Sequence, residues 1–431
     1  MKKTFKQINR NGKTFNMLGL PNTNFFKFEI VNKYGSNIER IYQEQTGKNV
    51  YGISHFIEHL GFRSTKDFTT QELMKFLKNE GSYNASTSFD RIDYYFQTTM
   101  NRIDLGINLV CNYTLNPLDK ISEEEFNIEK KVVINEAKRY ADDSQTMFWF
   151  NSTPALCGYN VDDNIIGIPK TIETFTLKDC IEIKDIFLSS AENVYNVTFD
   201  SSVLTAIEVV EKIENELIRH KPLGISKPLS KIDYNNALKS PKNVDVKLHN
   251  KSEQSMTLVN LDVVSNIVVA DVGNSYLSSY AEDTSLDDII REQNGLTYGI
   301  YLYTSNIAYK PYSSFGCDVS KGDEELLMKL FKESVNKSVD NWNDDTYIKL
   351  MKSRKLKRTI SLLDQKNYDI WHERATWYPE IIEELKDVLS EDLDKAMDIM
   401  DSKISTKDSI GKYLELFRDK VNSKDFGKVT N

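Results

Sequence analysis

Five histidines occur in 431 residues, and two of them, His55 and His59, stand four apart in GISHFIEHLGF with Glu58 between them. On a helix this spacing gathers Ile53, Phe56, Ile57 and Leu60 into one apolar stripe and sends His55, Glu58 and His59 to the opposite face. Two imidazoles one turn apart can hold a single tetrahedral zinc ion, and a carboxylate beside them can take a proton from water on that metal. The pattern H-x-x-E-H is the inverted form of the zinc peptidase pentad H-E-x-x-H. A solvated polar helix face would carry the same letters, and the pentad alone does not separate the two readings.

A zinc site of this kind needs a third protein ligand. The helical segment ISEEEFNIEKKVVINEAKRY offers Glu125, Glu129 and Glu136 on one face. Ser122 and Glu125 read as a capping box, which gives Glu125 a structural task at the helix start. Glu129 and Glu136 lie roughly 10 Å apart along the axis, too far for both to bind one ion, so one is a ligand and the other its support. In the second half of the chain SLDDIIREQNGLTYGIYLYT places Arg291 and Tyr298 seven apart, across a helix stop at Gly295. Taken alone they read better as an arginine complementing a helix C-terminus beside an ordinary strand tyrosine than as a functional pair. His220, His249 and His372 have no ligand-like company, and His372, between Trp371 and Glu373, reads as structural.

These residues need elements to hold them, and the chain has mass enough for two domains. Hydrophobic residues make up 40% and charged residues 28%, a balance that suits a packed soluble protein and excludes a disordered one. With 55 basic against 64 acidic residues the net charge is −9, so no global field draws nucleic acid, and no membrane span is visible. MKKTFKQINRNGKTFNMLGL lacks the apolar core of an export signal, and the scattered Cys111, Cys157, Cys180 and Cys317 suit reduced thiols; both point to the cytoplasm.

The stretch HKPLGISKPLSKIDYNNALKSPKN reads as a linker over 221–243, between domains at 1–220 and 244–431. In the first half FKFEIVN and DYYFQTT read as strands, and Thr69–Asn79 and Ser122–Tyr140 as helices. In the second, SMTLVNLDVV and a segment from Leu296 read as strands, with helices near Ser285–Gln293 and Glu324–Val339. The order suggests a repeated architecture without self-similarity in sequence.

Taken together, these segments resemble the pitrilysin/insulinase family of zinc peptidases, which includes the mitochondrial processing peptidases. The 76 residues between His59 and Glu136 match the separation of that family's third zinc ligand, in a context like EKKVVINEAKRY. GISHFIEHLGFRST resembles the family's metal helix and the turn after it, and EGSYNASTSFDRIDYYF the following strand. Asn116 with Pro117, IIGIPKTIETFT and R-E-x-x-G-L-x-Y resemble further blocks in order. The likeness is strongest over residues 50–175 and 285–300. The turn HLGFRST and the segment RIYQEQTGKNVYG depart from common members, which bears on loop shape and substrate preference.

The resemblance implies an α+β fold: two similar α/β domains, each a mostly antiparallel sheet packed with helices, forming half of a clamshell peptidase of the short bacterial type. It implies one zinc ion per active site on His55, His59 and Glu136, with Glu58 as general base and Glu129 as the supporting carboxylate. Arg291 and Tyr298 would contact substrate, Tyr298 also stabilising charge on the carbonyl oxygen. Asn84 and Ala85 would present a strand edge to an extended peptide; a turn asparagine is the plain alternative. The expected activity is zinc-dependent hydrolysis of peptides or unfolded segments in a closed chamber, against the alternative of a scaffold subunit without turnover. Family members that close a chamber in one chain need about four such domains, so the two-domain length implies a partner: a homodimer with shared sites, or a heterodimer with a metal-free relative.

Overall fold

In the segment Phe25–Asn32, Phe26, Phe28 and Ile30 are fully buried and alternate with partly exposed residues, the period-two pattern of a strand with one face on a core. The computed structural model to which it belongs describes residues 2–33, 35–116, 118–158, 164–190, 193–220, 241–248, 252, 254–264, 266–307, 310–361 and 368–431. The chain forms two compact units, Met1–Arg139 with Asp162–Leu238 and Tyr368–Ala396, and Tyr140–Val161 with Lys239–Asn367 and Met397–Asn431.

The first unit is built on β1 (Thr4–Arg10), β2 (Lys13–Gly19), β3 (Phe25–Asn32), β4 (Ser82–Thr87), β5 (Ile92–Thr99) and β6 (Asn193–Phe199), in the order β1-β2-β6-β3-β5-β4. Only β2 and β6 run parallel; the other neighbours are antiparallel. Phe28 lies between Phe96 of β5 and Val197 of β6, and all three face a core completed by Ile107 and Val110 and by Val209 and Ile213 of the helix Ala206–Arg219. Between β3 and β4 the chain makes α1 (Asn37–Thr46), α2 (Ile53–Leu60) and α3 (Thr70–Asn79); after β5 come α4 (Ile103–Leu115) and α5 (Glu123–Asp142). Thr69 with Glu72 closes a capping box on α3, as Ser122 with Glu125 does on α5.

The second unit has β7 (Asp245–Lys247), β8 (Gln254–Leu261), β9 (Ile300–Ile307), β10 (Lys310–Ser320) and β11 (Gly427–Thr430), in the order β7-β11-β8-β10-β9. From one end its pairs run parallel, antiparallel, antiparallel, antiparallel, the same sequence of pairings as β2-β6-β3-β5-β4. The repeat expected from element order is therefore present in topology. The expected helices appear as a π-helical turn over Asp287–Gln293 and a helix over Glu324–Asp340. The strand expected from Leu296 begins only at Ile300. Gly295 at φ +59 ends the helical segment, Leu296 N–H reaches back to the Ile290 carbonyl at 3.1 Å, and Thr297 bonds Gly299, so these residues form a closed loop.

The units do not follow the expected 1–220 and 244–431 division. Residues 140–161 belong to the second unit, where Phe148 and Leu156 of the helix Ser144–Leu156 join Met256, Leu258 and Val429 in a core. Residues 368–396 return to the first, where the helix Pro379–Glu391 packs on β1, Phe5 lies 6.2 Å from Trp371, and His372 Nε2 approaches the Val197 carbonyl at 3.2 Å. The amphipathic pattern of Ile381, Ile382, Leu385 and Leu389 requires an apolar partner but does not say which core supplies it. Of the expected linker 221–243, residues 221–240 lie outside the described residues, as do Pro117 and His249. Cys111, Cys157, Cys180 and Cys317 are buried and form no disulfide, and among the described residues no helix is long and apolar enough to cross a membrane.

Asp200, just past β6, ties down the turn between β2 and β3. It accepts from the N–H groups of Asn22 at 2.9 Å, Asn24 at 2.7 Å and Ser202 at 2.9 Å. Burial alone would raise its pKa, but these donors and the Ser202 hydroxyl outweigh it and hold the carboxyl down from 3.8 to about 2. A depressed carboxylate stabilises the fold above its unfolded pKa and loses that contribution as pH falls through the folded value. Asp200→Asn is therefore expected to cost about 2 kcal/mol at pH 7, with the deficit shrinking between pH 4 and pH 2 in denaturant titrations. A deficit independent of pH contradicts the assignment.

Candidate metal centre

The predicted apolar stripe of α2 is in place: Ile53, Phe56, Ile57 and Leu60 are buried, and Phe56 packs on Phe126 of α5 at 5.3 Å between ring centroids. The opposite face is not solvated. His55 is 7% and Glu58 9% exposed, because α5 and β4 cover them. On α5, Phe126, Val133 and Ala137 face inward, and Glu129 and Glu136 share that side of the helix. Buried charges at these positions need partners, and they find them in one another.

His55, His59 and Glu136 each offer one ligand atom within 4.8 Å of the other two, the one such group among the described residues. His59 Nε2 lies 3.1 Å and His55 Nε2 4.0 Å from Glu136 Oε2, and the imidazoles meet edge to face at 4.7 Å. His55 Nδ1 is buried and makes no hydrogen bond. Two neutral-capable nitrogens and a carboxylate are a zinc donor set, and small side-chain rotations bring them to the roughly 3.3 Å mutual separation of tetrahedral ligands. The residues present thus fit the ion.

Support comes from three further contacts. His59 turns its Nδ1 to Glu129 Oε1 at 2.9 Å, and Arg63 holds the other oxygen of that carboxylate, its Nε at 2.6 Å. Glu58 Oε2 accepts from the Thr87 hydroxyl of β4 at 2.7 Å. Glu125, besides capping α5, accepts from Ser64 at 2.7 Å and from Thr70, tying the turn after α2 to the start of α3. Arg63 and Thr87 were not identified from the sequence. Arg63 had the signal of i+4 spacing from His59; Thr87 had none, being 29 residues from its partner.

The protonation pattern follows from burial and these contacts. Burial and the neighbouring His59 push His55 down to about 4. Burial opposes charge on His59 too, but hydrogen bonds to Glu129 and Glu136 overcome it and raise its pKa to about 9. Glu136 is held below the usual carboxylate range, first by its bond to His59, and Glu129 likewise, despite burial, by His59 and Arg63. Glu58 is raised by burial against the opposing Thr87 bond.

The remaining sequence-predicted residues lie elsewhere. Asn84 and Ala85 sit on β4, an edge strand of the first sheet, with Asn84 exposed and Ala85 partly so. Arg291 and Tyr298 are in the second unit, the guanidinium 5.7 Å from the centre of the tyrosine ring and Tyr298 93% exposed.

A family model described as Insulinase (Peptidase family M16) matches residues 44–153, which span α2, β4, β5 and α5. Among curated proteins the chain is 29% identical to the zinc protease PqqE of Helicobacter pylori over 195 residues, 44% of this chain and 41% of that protein. It is 22% identical to an uncharacterized zinc protease of Rickettsia felis over 352 residues, 79% of each. Among solved structures, a protease from Helicobacter pylori superposes with TM-score 0.72 at 18% identity over 100% of this chain and 99% of that one. A domain from Pseudomonas fluorescens, described as an inactive peptidase M16 domain, gives 0.73 at 13% identity over 99% and 97%. The fold is shared along the whole chain.

With His59 raised to about 9, the metal-free protein carries a proton there at pH 7. A metal on Nε2 must displace it, so zinc binding at pH 7 is expected to release about one proton, and affinity to rise with pH until His59 is neutral. Calorimetry in buffers of different ionisation enthalpy measures the count; zero release means that His59 is already neutral.

Proposed function

We propose, from the premise that residues 44–153 form an insulinase-family (peptidase family M16) domain, that the chain is a zinc-dependent endopeptidase acting on peptides or unfolded polypeptide segments in a closed chamber. The observation that carries this reading is the convergence of His55, His59 and Glu136 within 4.8 Å, with Glu58 buried on the same helix.

Zinc, when bound, lowers the pKa of a coordinated water toward neutrality and polarises the scissile carbonyl. His55, His59 and Glu136 hold the ion. Glu129, clamped by Arg63, fixes the His59 ring through Nδ1 and leaves Nε2 for the metal. Glu58 takes the proton of the attacking water and returns it to the leaving amine, and the Thr87 hydroxyl orients its carboxylate. The free edge of β4 at Asn84 and Ala85 receives the substrate as an added strand. Arg291 holds the peptide, and Tyr298 donates to the developing oxyanion.

Two units supply half of the chamber, so the working form is a homodimer in which the metal of one protomer faces Arg291 and Tyr298 of the other; a heterodimer with a metal-free relative is the alternative. The buried cysteines, none in a disulfide, suit a reducing compartment, and we place the protein in the cytoplasm. The second reading, a subunit without turnover, is favoured by one observation: a structural neighbour of almost identical extent is described as inactive.

Glu58→Gln is expected to keep zinc and lose at least about 100-fold in hydrolysis, since an amide cannot act as a base. Glu136→Gln should abolish tight zinc binding, whereas Glu129→Gln weakens it by about 10-fold to 100-fold. Zinc content and cleavage of an unbiased peptide library read all three; turnover by Glu58→Gln at the wild-type rate rules out the mechanism. Mixing Glu58→Gln with Tyr298→Phe by co-expression tests the shared site. One centre of each mixed dimer then carries both lesions and the other none, so activity should reappear in proportion to mixed dimers. Inactive mixed dimers exclude the arrangement.

A further inference from the structure

The helix that carries both histidines is two turns long, Ile53–Leu60, and isolated helices of that length are marginal. It also has no cap of its own. Gly52 occupies the N-cap position at φ +91, where a side chain is strained, and a Cβ there would lie 2.6 Å from the Cα of Gly167. Gly167, at φ +76, is equally closed, its own Cβ falling 2.8 Å from the Cα of Gly52. Where two backbones cross this closely no Ser, Thr, Asp or Asn can stand, so the usual side-chain acceptor for the first-turn N–H groups is excluded by packing.

The acceptor comes from outside the helix. Glu39 of α1 is 1% exposed and takes the Gly52 N–H on Oε2 at 2.8 Å and the Ser54 N–H on Oε1 at 2.7 Å. Both oxygens are engaged, the charge sits at the positive end of the helix, and the donors stand three residues and one residue before His55. Two charge-assisted bonds to N–H groups two residues apart fix the rotation of the first turn as well as its depth. Metal–nitrogen distances tolerate only about 0.2 Å, so a shift of this turn is felt at the ion.

We infer that Glu39 is a positioning residue for the metal centre, acting through the backbone of the first turn of α2 to set where His55 presents its ring. This rests on the zinc reading of His55, His59 and Glu136. Without the Glu39 carboxylate the helix keeps its apolar stripe and the Gly52–Gly167 crossing, but two buried N–H groups lose their acceptor and the turn relaxes.

The test is zinc affinity by chelator competition on purified full-length protein, with the visible spectrum of the cobalt(II)-substituted form as a second readout. Glu39→Gln is isosteric and retains one acceptor oxygen; it is expected to bind zinc at least ten-fold more weakly and to alter the cobalt spectrum. Glu39→Asp, with both acceptors on a shorter stem, should fall between and carries the comparison if the glutamine variant does not fold. Asp200→Asn serves as a control that lowers stability far from the centre, and it should leave affinity and spectrum unchanged. Wild-type affinity and spectrum in folded Glu39→Gln overturn the inference, as does equal weakening in Asp200→Asn. A wild-type protein that binds no zinc refutes the metal reading itself, and Glu39's role with it, before any variant is compared.

Discussion

His59 lies between two carboxylates, the buried Glu129 on Nδ1 and the partly exposed Glu136 on Nε2. Placing an imidazole among glutamates away from bulk water is unfavourable unless their charges are met by opposite ones. That condition dictates the local architecture. α5 must cross α2 at the height that brings positions 129 and 136 to one ring, and Phe126 on Phe56 sets that crossing. Arg63 must turn back onto Glu129, and Glu125 must hold the turn from which Arg63 projects. The polar cluster is affordable because the stripe of Ile53, Phe56, Ile57 and Leu60 buries so much apolar surface on the other side.

The two sheets share one order of pairings, yet among the described residues the one His–His–Glu group belongs to the first unit. In the first unit the segment between the third strand of the repeat and its edge hairpin contains α2 with His55, Glu58 and His59, and Glu136 joins them from α5, after the hairpin. In the second the matching segment contains the π-helical turns Tyr276–Tyr280 and Asp287–Gln293, the latter carrying Arg291, and then Tyr298 at the surface. A common backbone thus presents different chemistry at equivalent places. A fold shared at 13% to 18% identity does not fix activity, and the chemistry proposed for this chain comes from the side chains of the first unit.

Much of this was legible in the sequence where the signal is local. The i, i+4 histidines, the seven-residue step from Glu129 to Glu136 and the Ser122–Glu125 box are periodic features of single helices, and each appears where its spacing places it. The strands over FKFEIVN and DYYFQTT were legible for the same reason. Contacts between distant segments were not. Nothing marks Thr87 as the partner of Glu58 or Glu39 as the cap of α2, because those pairs exist only once the sheet and α1 are packed. The return of residues 368–396 to the first unit was hidden likewise, since an amphipathic helix declares that it has a buried face and not which core receives it. Nor does the sequence show that the polar face of α2 is covered, because exposure, too, is set by what packs on top.

The proposed activity depends on the ligand set of a single ion, which zinc K-edge X-ray absorption on the wild-type protein loaded with one equivalent of zinc reads directly. The expected spectrum has two imidazole nitrogens at about 2.0–2.1 Å with oxygen completing a four-coordinate shell and no sulfur. A shell without imidazole scattering, or one containing thiolate, would contradict the assignment of His55, His59 and Glu136 as the metal centre.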